Sequence, residues 1–307
     1  MIIKTSDTDT IKPFLKNLFI PKPNSHKGQN GKVLIIGGSS LFHSASIWAA
    51  EIASYFVDIV HYSSTVENNK VFLSLKKKFQ NGIIVKQKSI PDYVKEDDAI
   101  LVGPGMLRKF KVQSSKFKVD NFEDVSKIKD EAEYTYCLTK YLIENFPEKK
   151  FVFDAGVLQM MRKEWLLKLK IPAVITPHQQ EFENLFGHSI KRLSQREKIK
   201  LVAETAHKYQ VVILLKAVVD IVSDGKETVV VEGGNQGLTK GGSGDLLAGL
   251  TVGFYSKNDS FISALLASYL LKRSAETLYL KYGYWYNINN LIETIPQTLK
   301  RLVFKNG

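Results

Sequence analysis

Residues 240–249 read Lys-Gly-Gly-Ser-Gly-Asp-Leu-Leu-Ala-Gly, and an apolar helical pattern runs on from Leu246 to Phe254. A glycine-rich turn feeding a helix start aims several backbone N–H groups at one point, where the helix dipole is positive. Such a point suits a phosphate or a developing anion. Asp245 falls in the first helical turn, where its charge would repel that anion. Its carboxylate therefore either caps the helix or takes a proton.

Other residues with chemical potential close short apolar runs: Gly37-Gly38 after 32–36, Gly103-Pro104-Gly105 after 99–102, Asp154 after 151–153, His178 after 173–176, and Lys216 after 211–215. Each has a plainer reading. Asp154 or His178 could cap the helix that follows, the glycines could make a turn, and Lys216 could be solvated. Together, however, they occupy the C-terminal ends of runs that read as buried parallel strands, where an open α/β sheet binds its ligands.

The elements that must position them alternate along the chain. Further strands are expected at 57–62 and 82–85, with a hairpin of 221–222 and 228–231. Helices are expected at 8–19, 45–55, 127–146, 157–169, 193–209, 260–281 and 287–302. This alternation implies a parallel α/β sheet. Residues 1–25 are expected to form an N-terminal helix and linker, and 26–307 a single domain, with 107–130 an exposed loop.

Composition narrows the function. The chain has 307 residues, is 44% hydrophobic and 24% charged, and holds one cysteine. Cys137 alone excludes an internal disulfide framework and a cysteine-based zinc site. No apolar run approaches the ~20 residues of a membrane span, and Met1 to Asp7 lack a signal-peptide pattern. No membrane partner and a cytoplasmic location are therefore expected. The net charge of +12 invites a nucleic-acid reading. The lysines are scattered, though, with short clusters such as Lys76-Lys77-Lys78 and no basic stripe interleaved with aromatics. A surface that draws in anionic small molecules accounts better for the charge, and no specific nucleic-acid partner is expected. A P-loop, a zincin motif and a Gly-x-Ser-x-Gly elbow are all absent. The run 103–108 puts Arg108 where a dinucleotide fingerprint needs its third glycine. His178 and Glu181 lack a third ligand in the sequence, so no metal is assigned to the protein itself.

The blocks His26-Lys27-Gly28, 31–39, Gly103-Pro104-Gly105, Asp154-Ala155, Thr176-Pro177-His178-x-x-Glu181, Leu215-Lys216, Asp220 and 234–249 occur in an order that resembles the ADP/ATP-dependent NAD(P)H-hydrate dehydratases of the ribokinase-like superfamily. The likeness spans about residues 26–256. Nothing before residue 26 resembles the epimerase domain that some family members carry. The family pattern is broken at Ser44, at 55–57, at Leu107 and at Ala217, around the expected substrate pocket and nucleotide loop.

The resemblance implies an α/β ribokinase-like three-layer sandwich, a mostly parallel central sheet with helices on both faces. It implies nucleotide-dependent repair of hydrated NADH or NADPH: the 6-hydroxyl is phosphorylated by ADP or ATP, and phosphate is then eliminated. Asp245 is the expected base, kept ionised by the helix dipole, with an anion hole at Gly242, Ser243 and Gly244. Nucleotide contacts are expected from Lys216, Ala217, Val218, Val219, Asp220, Asn235, Gly237 and Gly244, with Mg2+ carried by the nucleotide. Substrate contacts are expected from Ala45, Gly103, Gly105, Asp154, His178, Glu181 and Asp245. The Gly-Asn-x-Gly run at 234–237 points to ADP, whereas Asp220 stands where that subgroup often has Thr. Family analogy implies a homo-oligomer, such as a tetramer. A small-alcohol kinase of the same superfamily is the second reading, and a non-catalytic nucleotide or nucleic-acid binder the third. For Trp48, Trp165 and Trp285 the expectation is core or interface packing, and for His26 and Lys27 a turn or a ligand contact equally.

Overall fold

The computed structural model describes residues 1–108 and 121–304. Its strands are β1 (Ile2–Lys4), β2 (Lys32–Ile36), β3 (Ile59–Ser63), β4 (Gly82–Ile84), β5 (Ala99–Val102), β6 (Lys150–Phe153), β7 (Val174–Ile175), β8 (Val212–Leu215), β9 (Asp220–Ser223) and β10 (Thr228–Glu232). They form one sheet in the order β1-β10-β9-β8-β7-β6-β5-β2-β3-β4. Every pairing from β4 to β8 is parallel, β9 and β10 form an antiparallel hairpin, and β1 runs parallel to β10.

The helices are α1 (Lys12–Leu15), α2 (Ser44–Ala53), α3 (Val66–Ser74), α4 (Ile90–Glu96), α5 (Phe122–Ser126), α6 (Glu131–Asn145), α7 (Gly156–Met160), α8 (Gln179–Phe186), α9 (Gln195–Tyr209), α10 (Ser243–Tyr255), α11 (Ser260–Tyr282) and α12 (Ile288–Val303). Because side chains alternate along a strand, the apolar run of β2 feeds two cores. Val33 and Ile35 join residues of α2, α10, α11 and α12 on one face. Leu34 and Ile36 join α4, α6, α8 and α9 on the other. Each fully buried aliphatic side chain contributes about 1.5–3 kcal/mol. The result is the expected three-layer sandwich.

Helix α10 carries Asp245, and two contacts set its position. A Cβ at Gly249 would lie 2.5 Å from the carbonyl oxygen of Ala49, so only glycine admits α2 this close. At the far end of α10, the Lys150 ammonium donates to the carbonyls of Tyr255 (2.9 Å) and Asn258 (3.2 Å). Lys150 begins β6, the strand that Asp154 follows. Helix and strand are thereby tied at one end and present carboxylates at the other.

Some local expectations fail. Ile2–Lys4, placed within an N-terminal helix and linker, joins the sheet beside β10 with Ile3 buried. The helix expected at 8–19 shrinks to α1, because residues 7–10 turn, with the Thr10 hydroxyl on the Asp7 carbonyl. The helix expected at 157–169 splits into α7 and a 3-10 helix, Lys163–Lys168. Of the loop expected at 107–130, residues 109–120 lie outside the described residues, and Phe122–Ser126 is helical behind an Asn121 cap. Of the tryptophans, Trp165 is buried and Trp48 packs against the core, as expected, while Trp285 is 86% exposed and so outside the core, which leaves its interface reading open.

Candidate active site

Four adjacent strands deliver the site. In spatial order β5, β6, β7 and β8 end at Val102, Phe153, Ile175 and Leu215, and the next residues hold the ladder together. Asp154 N–H donates to the Val102 carbonyl (3.1 Å), Thr176 N–H to Phe153 (3.1 Å) and Lys216 N–H to Pro177 (2.8 Å). Gly103, Asp154, Thr176, His178 and Lys216 therefore stand along one sheet end. A Cβ on Gly103 would come within 1.8 Å of the Asp154 carbonyl oxygen, so glycine permits this approach. Ala155, next to Asp154, adopts φ +49°, a conformation that costs a residue with a side chain about 1–3 kcal/mol. Gly105 faces the start of α2, where its Cβ would lie 3.0 Å from that of Ala45.

The mouth of this crevice is the N-terminus of α10. Gly242 caps the helix with φ +107°, wedged between Trp48 and Ile288. The helix begins at Ser243, and its first intrahelical bond runs from Leu246 N–H to Gly242 (2.9 Å). The N–H groups of Ser243, Gly244 and Asp245 thus have no acceptor within the helix. Ser243 N–H leans weakly on the Lys240 carbonyl (3.4 Å), and its hydroxyl donates to Leu238 (2.7 Å). Gly242, the N-cap, likewise has an N–H outside the helix, so the turn presents the N–H groups of the expected Gly242–Gly244 set together with that of Asp245.

Lys216 links strand ends to helix. Its ammonium pairs with Asp154 at 2.7 Å and lies 3.4 Å from the point where a Gly244 Cβ would stand. Burial opposes its charge, but Asp154 and Glu181 outweigh that and hold the amine above the ordinary lysine value. Asp154 also accepts from the Thr176 hydroxyl at 2.7 Å. Asp245 is pushed up to about 7, first by burial and then by the negative charge of Asp154, with Lys216 pulling the other way. Against the expectation that the helix dipole keeps Asp245 ionised, burial and neighbouring carboxylates favour its protonated form.

His178 and Glu181 form a reciprocal cap on α8. The His178 Nδ1 accepts from the N–H groups of Gln180 (3.1 Å) and Glu181 (3.2 Å), while the Glu181 carboxylate accepts from His178 N–H (2.9 Å). Accepting at Nδ1 assigns the remaining proton to Nε2, 3.4 Å from the Glu181 carboxylate. Burial and then Lys216 lower the His178 pKa, so the ring is a neutral donor. Glu181 is raised by burial despite Lys216. Gln159 also donates to Glu181, at 3.2 Å.

Three expected nucleotide contacts are otherwise engaged. The Asp220 carboxylate is buried on Ala217 N–H (2.9 Å), the Ser268 hydroxyl (2.7 Å) and Lys272 (3.5 Å), so it shapes the turn after β8. Asn235 accepts from Gly237 N–H and donates to the Ala275 carbonyl. Gly237 packs on Tyr286, which leaves no space for a Cβ. In the same turn Ala217 and Val219 are half-buried, and Val218 is 90% exposed. The His26-Lys27-Gly28 block lies at the opposite end of the sheet, where Gly28 N–H donates to Asp58 at 2.7 Å. Its ligand-contact reading gives way to a turn.

A model of the NAD(P)H-hydrate dehydratase family matches residues 33–297. The chain belongs to that family. Among the relatives of this dehydratase-family chain is the bifunctional NAD(P)H-hydrate repair enzyme of Methanocaldococcus jannaschii, 31% identical over 93% of this chain and 51% of that protein. The chain spans about half the length of such bifunctional relatives. The ADP-dependent (S)-NAD(P)H-hydrate dehydratase of Nitrosopumilus maritimus is 28% identical, with 98% of each chain covered. In fold, the chain is similar to a ribokinase-like superfamily protein of Enterococcus faecalis (TM-score 0.75, 20% identity, 98% of this chain and 96% of that one). It is also similar to the Bacillus subtilis ADP/ATP-dependent NAD(P)H-hydrate dehydratase co-crystallized with ATP/Mg2+ (TM-score 0.72, 22% identity, 95% and 96%).

Within the dehydratase-family site, two further polar residues take part: Thr176, to which the sequence assigns no role beyond its place in the Thr-Pro-His block, and Gln159. Thr176 opens the Thr-Pro-His block and follows a strand, a signal that was present. Gln159 sits in a short helix with no distinguishing pattern.

Proposed function

We propose that this chain dehydrates NAD(P)H hydrate at the expense of ADP or ATP. The observation that carries the reading is Asp245, a carboxylate raised to about 7 in the first turn of α10, beside N–H groups that have no acceptor within the helix. A base must be ionised yet able to hold a proton, which a value near the working pH achieves. Asp245 takes the proton of the 6-hydroxyl as that oxygen attacks the terminal phosphorus. The bond to the nucleotide leaving group breaks, and the N–H groups of Ser243, Gly244 and Asp245 stabilise the transferring oxygens. Phosphate then departs from the ring carbon as a neighbouring C–H proton is lost, which regenerates the reduced nicotinamide.

Lys216 contributes a fixed positive charge beside Gly244, held in place by Asp154 and Thr176. The neutral Nε2–H of His178 is a donor for a substrate oxygen. In this reading the backbone of Ala217–Asp220 borders the nucleotide, and Ala45, Gly103 and Gly105 border the hydrate. The crevice fits a nucleotide that brings its own Mg2+, because Glu181 adds an oxygen-donor carboxylate beyond the one that Lys216 neutralises. Bound there, the ion would offset phosphate charge, and Glu181 would hold one of its waters. A cytoplasmic, homo-oligomeric enzyme completes the proposal.

The test is to add hydrated NADH or NADPH with ADP or ATP and follow absorbance of the reduced cofactor. Nucleotide-dependent recovery is expected. Nucleotide binding without recovery, together with phosphorylation of a simple alcohol, would instead favour the small-alcohol kinase.

A further inference from the structure

Lys240 stands immediately before Gly241-Gly242, where a lysine could reach a bound phosphate. It points elsewhere. Its ammonium donates to the carbonyl of Tyr284 at 2.5 Å and to that of Tyr286, and lies 5.1 Å over the Tyr286 ring. These acceptors belong to the connection between α11 and α12. The same connection supports the glycine-rich segment at three other points. The Tyr286 hydroxyl donates to Asn235 (2.7 Å), the Tyr286 ring covers Gly237, and Ile288 packs on Gly242.

From this arrangement we propose that Lys240 is a positioning residue that clamps the α11–α12 connection behind the phosphate loop, and is not itself a phosphate ligand. Residues 235–242 span the approach to the anion site, and Asn235, Gly237, Lys240 and Gly242 of that span all touch residues 284–288. Lys240 supplies the charge-assisted bonds of the clamp. Without them the loop keeps its apolar contacts but gains freedom at Gly241, where no atom lies within 4 Å of a built Cβ. A displacement of about 1 Å at a catalytic loop costs on the order of 100-fold in rate. The proposal rests on the functional reading above for its kinetic consequence, but not for its structural one.

The test compares the full chain with Lys240→Met, Lys240→Arg, Tyr286→Leu and the Met/Leu double variant. Amide hydrogen exchange, which needs no substrate, should accelerate together at 237–243, where Gly237, Leu238 and Ser243 N–H groups are hydrogen-bonded, and at 283–287 in Lys240→Met. Acceleration at 283–287 alone, or at neither segment, would overturn the clamp whatever the protein's activity. In turnover assays Lys240→Met should lower kcat by about 10–100-fold with the hydrate KM within about threefold. Lys240→Arg, which keeps donors for two carbonyls, should recover most of that loss. The double variant should fall no more than about threefold below the worse single one, because both changes release the same contact. Multiplying losses, or a nucleotide KM raised with kcat unchanged, would instead make Lys240 a direct ligand. If the wild type shows no turnover, the functional reading fails and the exchange data still decide the clamp.

Discussion

Asp58 and Asp245 stand at opposite ends of the same sheet and are shifted in opposite directions. Asp58 precedes β3, and its carboxylate accepts from the N–H groups of Gly28 (2.7 Å) and Asn30 (3.0 Å) and from the Asn30 amide. Burial is the largest single influence and raises it, but the donors together outweigh burial and hold it below the ordinary carboxylate range. Asp245 is more enclosed, shares its surroundings with Asp154 and Glu181, and rises to about 7. One end of the sheet spends its carboxylate on closing a turn. The other leaves a carboxylate with an unmet demand for a proton, which is what a base requires.

The largest expected effect comes from removing that demand. Asp245→Asn should lower turnover by about 10²–10⁴-fold while nucleotide affinity stays within a few-fold, measured by steady-state kinetics and calorimetry. Near-normal turnover would make the two aspartates equivalent.

Changing the neighbours should tune Asp245 in both directions. Asp154→Asn removes the charge that raises it and unpairs Lys216, so the acid limb of the kcat/KM profile should move to lower pH. Lys216→Met removes the charge that lowers it, so the limb should move to higher pH, with about 10–100-fold lost near pH 7. Shifts in the same direction would show that the limb belongs to another group.

Asp58→Ala should act on stability alone. Because the carboxylate is exposed and solvent screens its bonds, their loss should cost only about 0.5–1 kcal/mol in denaturant titrations at neutral pH, with the kcat/KM profile unmoved. Because the folded-state pKa of Asp58 is depressed, its contribution is present above the ordinary carboxylate range and lost as pH falls through the folded value. The gap between wild type and variant should therefore close in acid.

This contrast also explains which features the sequence made legible. Continuous apolar runs ending in glycine or a polar residue marked β2, β5, β6, β7 and β8, because a strand buried on both faces has few alternatives. Strand β1 carried no such signal: Ile2-Ile3-Lys4, two apolar residues and a charge, becomes a strand only when β10, more than 220 residues away, offers an edge. In the site, Asp245, Lys216, Asp154, His178 and Glu181 were legible because strand ends and helix starts are local patterns. The fate of Asp220 and Asn235 was not, since it depends on Ser268, Lys272, Ala275 and Tyr286 from helices and turns far along the chain. The upward shift of Asp245 is not legible in the sequence for the same reason. A helix start can be read from seven residues, whereas burial and two distant carboxylates require the fold.

The most direct measurement is the titration of the Asp245 and Asp58 carboxylates by carbon-13 NMR in selectively labelled protein, assigned with the Asp245→Asn and Asp58→Ala variants. The account predicts that Asp245 titrates at about 7 and Asp58 below the ordinary carboxylate range. Titration of Asp245 at about 4, like a solvated aspartate, would contradict it.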